Sequence, residues 1–373
     1  MYIQDMKIVI APDKFKGSLS APEVCKAIKT GLLSVNKSLT IDCCPLADGG
    51  DGSLALLNGY LSLNRHTVET SDPLGRPINA SYYTDQDTAY IELASASGYV
   101  LLNKQDKNPL YTSTYGTGIM IKDAVERGYT NVALFLGGSA TNDAGIGILN
   151  ALGFSLIDKA GQQLEPIGKN LKEIVSVLPP ANSDIRVSLR LTLLCDVDNP
   201  LHGPDGAAYV YAPQKGARPE DVMALDEGLK SFAKRIKQHT GQRVDNMRGA
   251  GAAGGIPAGL SAFLNCRLVS GSEMFIELSG LENRIKDSDI VITGEGLFDN
   301  QSISGKLPGK VIALANKYKK RYMLFAGDVK LDNCHIPADR LFTVRSQSTD
   351  LNDAMTNASA YLTRLARSLA ESL

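Results

Sequence analysis

The dominant pattern along the chain is an apolar run that stops at a polar turn rich in Gly and Asp. Val132–Leu136 is uninterrupted apolar sequence, and Gly137, Gly138, Ser139, Thr141, Asn142 and Asp143 follow it. An unbroken apolar run suits a strand buried on both faces, as in a parallel sheet. The next residues predict a helix over Ala144–Leu152, closed by Gly153. The same grammar recurs in IVIAPDKFKGS (8–18), DCCPLADGGDGS (42–53), LTLLCDVDNP (191–200), IVITGEGLFDNQS (290–302) and LFAGD (324–328). In open α/β sheets ligands bind outside the carboxyl ends of the strands. A chain that puts its carboxylates, hydroxyls and lysines there reads as an enzyme of that kind.

Between these runs the periodicity predicts the remaining elements. Ser20 and Glu23 form a capping-box pattern, and Val24, Ala27, Ile28 and Leu32 make one helical face. A strand at about 41–45 and a helix over Leu54–Leu61 complete a βαβα opening. NASYYT and TAYIELA alternate as antiparallel strands do, and Asp198–Lys215 reads as a loop around AAYVYA. Pro219–His239 is an amphipathic helix, with Val222, Leu225, Leu229, Phe232 and Ile236 on one face. Further helices are expected at 117–127, 272–286 and 306–319, and strands at 289–293, 322–326 and 341–344. A terminal helix carries Leu351, Met355, Tyr361, Leu362, Leu365 and Leu369. The expected fold is two-domain α/β. A Rossmann- or flavodoxin-like parallel-sheet domain comprises residues 1–70 and 270–373, and a mixed α/β domain of 71–269 is inserted in it.

Composition narrows the function classes. The net charge of −1 gives no electrostatic footprint for nucleic acid or an anionic membrane. No run approaches the roughly 18 apolar residues that span a bilayer, and the start lacks a signal-peptide layout. Six cysteines without CxxC spacing fit buried thiols in a reducing cytoplasm. The four histidines are not paired at ligand spacing, which argues against zinc and leaves His202 as the one candidate histidine base. There is no GxxxxGK[ST] phosphate loop.

The strand-end loops combine lysines, carboxylates and small hydroxyls, the mixture that phosphoryl transfer asks for: cations for phosphate oxygens, carboxylates for Mg²⁺, and one more to accept the hydroxyl proton. Clustered aspartates with few histidines suit Mg²⁺. Asp196 and Asp198, one residue apart after a strand, repel each other unless a cation or a role holds them. Lys14 and Lys16 have a second reading as solvated loop charges, and Asp48 and Asp51 read equally as caps of turns and of the next helix. Gly249, Gly251 and Gly254 match GxGxxG, but no strand precedes them and Pro257 interrupts the helix. A nicotinamide-dependent dehydrogenase built on this segment is one alternative, with Glu273 or Glu277 near the distance of a ribose ligand. A sugar-acid binding or regulatory protein without turnover is another.

APDKFKGSLSA, LADGGDGS, GGSATND, CDVDNPL, APQKGA, GAGAAGG and ITGEGLFDNQSISGK together resemble the signatures of the bacterial glycerate kinase family, of the glycerate 2-kinase type, in the same order from about Lys7 to the terminal helix. Gly17 and Asp51 are departures, in loops where other members can carry Glu, and residues 1–6 read as an extra leader. The resemblance implies an ATP-dependent kinase that makes phosphoglycerate from D-glycerate with Mg²⁺, on a two-domain α/β fold without a P-loop. Residue roles follow from loop position. Asp196 is expected to be the general base, and Lys14 to stabilise the transferring phosphoryl group or the substrate carboxylate. Ser18, Asp48, Asp51, Ser139, Asn142, Asp143 and Lys215 are expected to bind the acid. Gly294, Glu295, Gly296, Ser302 and Lys306 would hold the nucleotide, and Asp299 and Asp198 the metal.

Overall fold

A computed structural model of the chain describes residues 6–181, 188–303, 305–331 and 336–373. Residues 1–5 of the expected leader, together with Cys334 and His335, lie outside the described residues. The strands are β1 (Lys7–Ile10), β2 (Thr40–Cys43), β3 (Asn64–Ser71), β4 (Pro77–Thr84), β5 (Thr88–Glu92), β6 (Asn131–Phe135), β7 (Ser155–Ile157), β8 (Ser176–Leu178), β9 (Arg190–Leu194), β10 (Asn265–Val269), β11 (Ile290–Asp299), β12 (Arg321–Lys330) and β13 (Leu341–Thr343). The chain divides into two compact units, Met1–Asp48 with Gly271–Leu373, and Gly49–Ser270.

The first unit is built on a parallel sheet of order β13-β12-β11-β1-β2. Its central strands are apolar where both faces are covered, over Ile8–Ile10, Ile290–Ile292 and Met323–Ala326. Ile8, Ile10, Ile292 and Phe325 pack with Val24, Ile28 and Leu32 of helix Ala21–Val35 and with Leu362 and Leu369 of the terminal helix. Each such buried side chain contributes about 1.5–3 kcal/mol. The predicted capping box forms, with the Ser20 amide donating to Glu23 Oε2 at 2.8 Å. The terminal helix is two helices, Leu351–Thr356 and Ala358–Ser372, and Leu351 of the first is exposed. The helix expected at 272–286 is likewise two, Gly271–Leu278 and Leu281–Lys286, separated by the left-handed Gly280.

The second unit holds a mixed sheet of order β10-β9-β6-β5-β4-β3 and the small antiparallel pair β7-β8. From β10 to β5 the strands are parallel, whereas β5, β4 and β3 pair antiparallel. TAYIELA is therefore antiparallel on one edge only, since Tyr90 pairs with Tyr83 on β4 and with Ala133 on β6. Residues 53–71 belong to this unit: Leu54 N donates to Glu92 Oε1 at the end of β5, and β3 is the sheet's edge. Helix Pro219–Thr240 buries Leu225, Leu229, Phe232 and Ile236 in a core with Leu171 and Leu201. AAYVYA, expected as part of a loop, is helical over Ala207–Tyr211 and buries Ala207 and Ala208. Among the described residues no helix is long and apolar enough to cross a membrane.

Candidate active site

In the first unit β1 lies between β2 and β11, so the connections leaving the sheet diverge there. Such a switch point opens a crevice at the carboxyl ends of its strands. Asp13 and Lys14 follow β1 directly, and Asp13 N donates to Gly294 O at 2.8 Å, which runs the loop alongside β11. Lys14 Nζ pairs with Asp48 Oδ1 at 3.1 Å. Asp13 is buried, and burial pushes its carboxyl well above the usual range, Asp48 adds to the rise, and Lys14 opposes it. Burial likewise pushes Glu295 up to about 7, against Ser302 and Lys306, which favour its charge. Its Oε1 is buried and has no hydrogen-bond partner among the described residues.

Asp299 accepts from Ser302 N at 3.0 Å and Ser302 Oγ at 3.1 Å, and Lys306 Nζ lies 3.5 Å away. Burial alone would raise its carboxyl, but Lys306 and the Ser302 donors outweigh that and hold it low. Gly294, Glu295, Gly296 and Asp299, expected beyond the end of a strand at 289–293, are instead inside β11, whose pairing with β12 continues to Asp299↔Lys330. Gly294 serves the pairing: a Cβ there would stand 1.9 Å from Phe325 O. Ser18 is drawn away from this cluster, its Oγ donating to Met355 O at 2.5 Å.

In the second unit the loops after β6, β9 and β10 carry the polar groups. Asp196 Oδ1 accepts from Ser270 Oγ at 2.6 Å, joining the ends of β9 and β10. Asp198 is gripped by Arg248, whose Nε and Nη2 donate to its two oxygens, each at 2.6 Å. That bidentate pair relieves the repulsion expected between Asp196 and Asp198 and competes with metal binding at Asp198. After β6, the fully buried Asp143 accepts from Thr114 N and Thr114 Oγ1 at 2.8 Å, Gly145 N at 3.1 Å and Gly147 N at 3.3 Å. Burial pushes its carboxyl up while these four donors pull it down. Through these donors Asp143 orders the loop after β6. Lys215, at the end of the short turn Pro213–Lys215, is buried and donates from Nζ to Ser139 Oγ and Thr141 O, both at 2.7 Å. Asp51 sits beside the same loop, 3.6 Å from where a Cβ on Gly138 would stand.

GAGAAGG has a structural task. Ala144 N donates to Gly254 O, and a Cβ on Gly254, a residue at φ +78°, would lie 2.3 Å from Thr141 O. Ala144 and Ala253 are both left-handed, at φ 51° and 50°. Strain of this kind persists where the surroundings over-determine the backbone, as at binding sites. Ser270, Thr114 and Arg248 escape a reading of the sequence because their partners are 29 to 74 residues away. Asp13 is legible there only as the neighbour of Lys14.

Lys215 has a testable electrostatic signature. Burial pulls its pKa down to about 7, and Asp143 pulls the other way. The unfolded lysine titrates near 10.4. Between those values the unfolded chain binds more protons than the folded one, so stability rises with pH across that window and is lost again as pH falls toward 7. Wild type should gain stability relative to Lys215→Met between about pH 7 and 10.4, with no further change below. Denaturant melts of the two proteins at a series of pH values measure this, and a slope of opposite sign would contradict a buried neutral lysine.

Lysines set against carboxylates at the ends of parallel strands are the equipment of an α/β phosphotransferase. Residues 8–373 match the model of the Glycerate kinase family. The chain belongs to that family and is a kinase. It is 40% identical to the glycerate 2-kinase of Escherichia coli K12, over 99% of this chain and 98% of that protein. It is 38% identical to the glycerate kinase of Bacillus subtilis 168, again over 99% and 98%. A crystal structure of a glycerate kinase 2 from Salmonella typhimurium LT2 superposes with a TM-score of 0.78 at 36% identity, covering 99% of this chain and 98% of that one.

Proposed function

We propose that this kinase transfers the γ-phosphoryl group of ATP, with Mg²⁺, to a hydroxyl of D-glycerate in the cytoplasm, and that 2-phosphoglycerate is favoured over 3-phosphoglycerate. The observation that carries the reading is the Asp13–Lys14–Asp48–Glu295 cluster at the switch point of a parallel sheet, in a chain 40% identical to a glycerate 2-kinase. Asp196, oriented by Ser270, would accept the hydroxyl proton. Lys14 would stabilise charge on the transferring group, and Lys306 and Ser302 would face the nucleotide phosphates. Asp48, Asp51, Ser139, Asn142 and Lys215 would hold the acid.

Mg²⁺ prefers one or two carboxylates completed by water and phosphate oxygens. Among the described residues no three His, Cys, Asp or Glu side chains gather into a cage. The buried Glu295 oxygen without a partner, near Asp299, fits that sparser demand. Glu295 and Asp299 would hold the ion, which supplies charge neutralisation on the phosphates. Asp198, paired with Arg248, drops out of the metal set.

The test is ADP release with D-glycerate, ATP and Mg²⁺, followed by ³¹P NMR of the product. Turnover with a phosphorus doublet is expected, because a C2 phosphate couples to one proton. A triplet would move the phosphate to C3, and no turnover would end the kinase reading for this acid.

A further inference from the structure

The loop after β6 contains polar atoms that the fold leaves unused. Asn142 is fully buried, and neither its Nδ2 nor its Oδ1 has a hydrogen-bond partner among the described residues. The buried Thr141 Oγ1 is in the same condition. A buried polar group without a partner costs about 1–3 kcal/mol. A whole carboxamide held that way, in a loop pinned by Asp143 and by left-handed Ala144, is kept for something other than stability. The neighbouring Thr141 carbonyl accepts from Lys215 Nζ, which also donates to Ser139 Oγ, and protonation of the amine adds a third N–H for a ligand.

We propose that Asn142 and Lys215 form the pocket that recognises a hydroxy acid, with Asn142 the residue that distinguishes it from the corresponding acid lacking hydroxyls. The inference rests on the kinase reading above and names how that site selects its acceptor. A carboxamide offers one donor group and one acceptor. Its Nδ2 donates to a carboxylate oxygen of the acid, and its Oδ1 accepts from a hydroxyl. The Lys215 ammonium supplies the opposing charge, giving up its protein acceptors for ligand oxygens as the acid enters. Carboxylates are bound more tightly by a charged ammonium than by a neutral amine. Among the described residues Asp143 is the one charged group that acts on Lys215. Binding at and above neutral pH is therefore accompanied by proton uptake.

The experiment uses the full chain as wild type, Asn142→Leu and Lys215→Met. Glycerate KM and kcat are measured in turnover, binding of glycerate and propionate by calorimetry, and Tm in the absence of acid. Wild type should bind glycerate and not propionate. Asn142→Leu should keep or raise the Tm, because an apolar side chain of similar shape replaces an unpartnered carboxamide, while glycerate KM rises roughly 10–100-fold. Lys215→Met should weaken glycerate binding and abolish the proton uptake seen when calorimetry is repeated in buffers of different ionisation enthalpy. An Asn142→Leu protein that melts lower or fails to fold would make the carboxamide structural and overturn the proposal, as would unchanged glycerate KM. In the second case, with wild type still turning glycerate over, the kinase reading survives and the pocket falls. Glycerate binding that depends on Asn142, without turnover in wild type, would instead support the pocket and end the kinase reading.

Discussion

Asp143→Ala is expected to destabilise the unit Gly49–Ser270 by about 3–5 kcal/mol, in the range found when one partner of a buried charged network is removed. The carboxylate accepts four hydrogen bonds, and three come from backbone amides that have no alternative use of that quality. Deleting it strands Thr114 N, Gly145 N and Gly147 N inside the protein, each costing about 1–3 kcal/mol. Relief of the cost of burying a carboxylate offsets part of this sum. Lys215 also loses the charge that favours its ammonium form, so it turns neutral at a lower pH. Hydrogen exchange at the Gly145 and Gly147 amides reads the effect within this unit. A loss under about 1 kcal/mol would mean that the network is dispensable.

Asp196→Asn should lower kcat by about 10²–10⁴-fold while the KM for ATP stays near wild type. The amide keeps the shape and can still accept from Ser270 Oγ, but it cannot take the proton of the attacking hydroxyl. Loss at the chemical step with binding intact separates a base from a residue that only positions ligands. Ser270→Ala, which removes one partner of the same carboxylate, should cost less than Asp196→Asn and leave the pH profile in place. Steady-state kinetics of both variants decide the matter. An Asp196→Asn enzyme with wild-type kcat removes Asp196 from proton transfer.

The elements legible in the sequence are those whose local pattern matches their final environment. Val132–Phe135 and Ile8–Ile10 read as buried strands because both faces are covered, so no polar residue interrupts them. Asn64–Ser71 is not legible, because an edge strand can be polar on its outer face, and NRHTVETS hides its pairing with β4. The second halves of β11 and β12 read as loops because Gly, Glu and Asp are poor strand formers, and only the partner strand makes them regular. The site follows the same division. Lys14 and Asp48 come together from positions after strands, and Lys215, at the end of a short turn, meets the Ser139 loop that follows one. What sequence position does not convey is how each carboxylate is engaged: Asp143 by amides, Asp198 by Arg248, Asp196 by Ser270.

The interrupted order of the first unit bears on how the chain comes off the ribosome. β1 is an inner strand, yet its neighbour β11 is made some 280 residues later. Until then Lys7–Ile10 has only β2 beside it and presents an apolar edge with open amides and carbonyls, the kind of surface on which nascent chains stick to one another. Gly49–Ser270 is continuous and needs nothing from the termini to close its own sheet. During synthesis all the strands of Gly49–Ser270 are therefore present while the β1 edge still waits for β11.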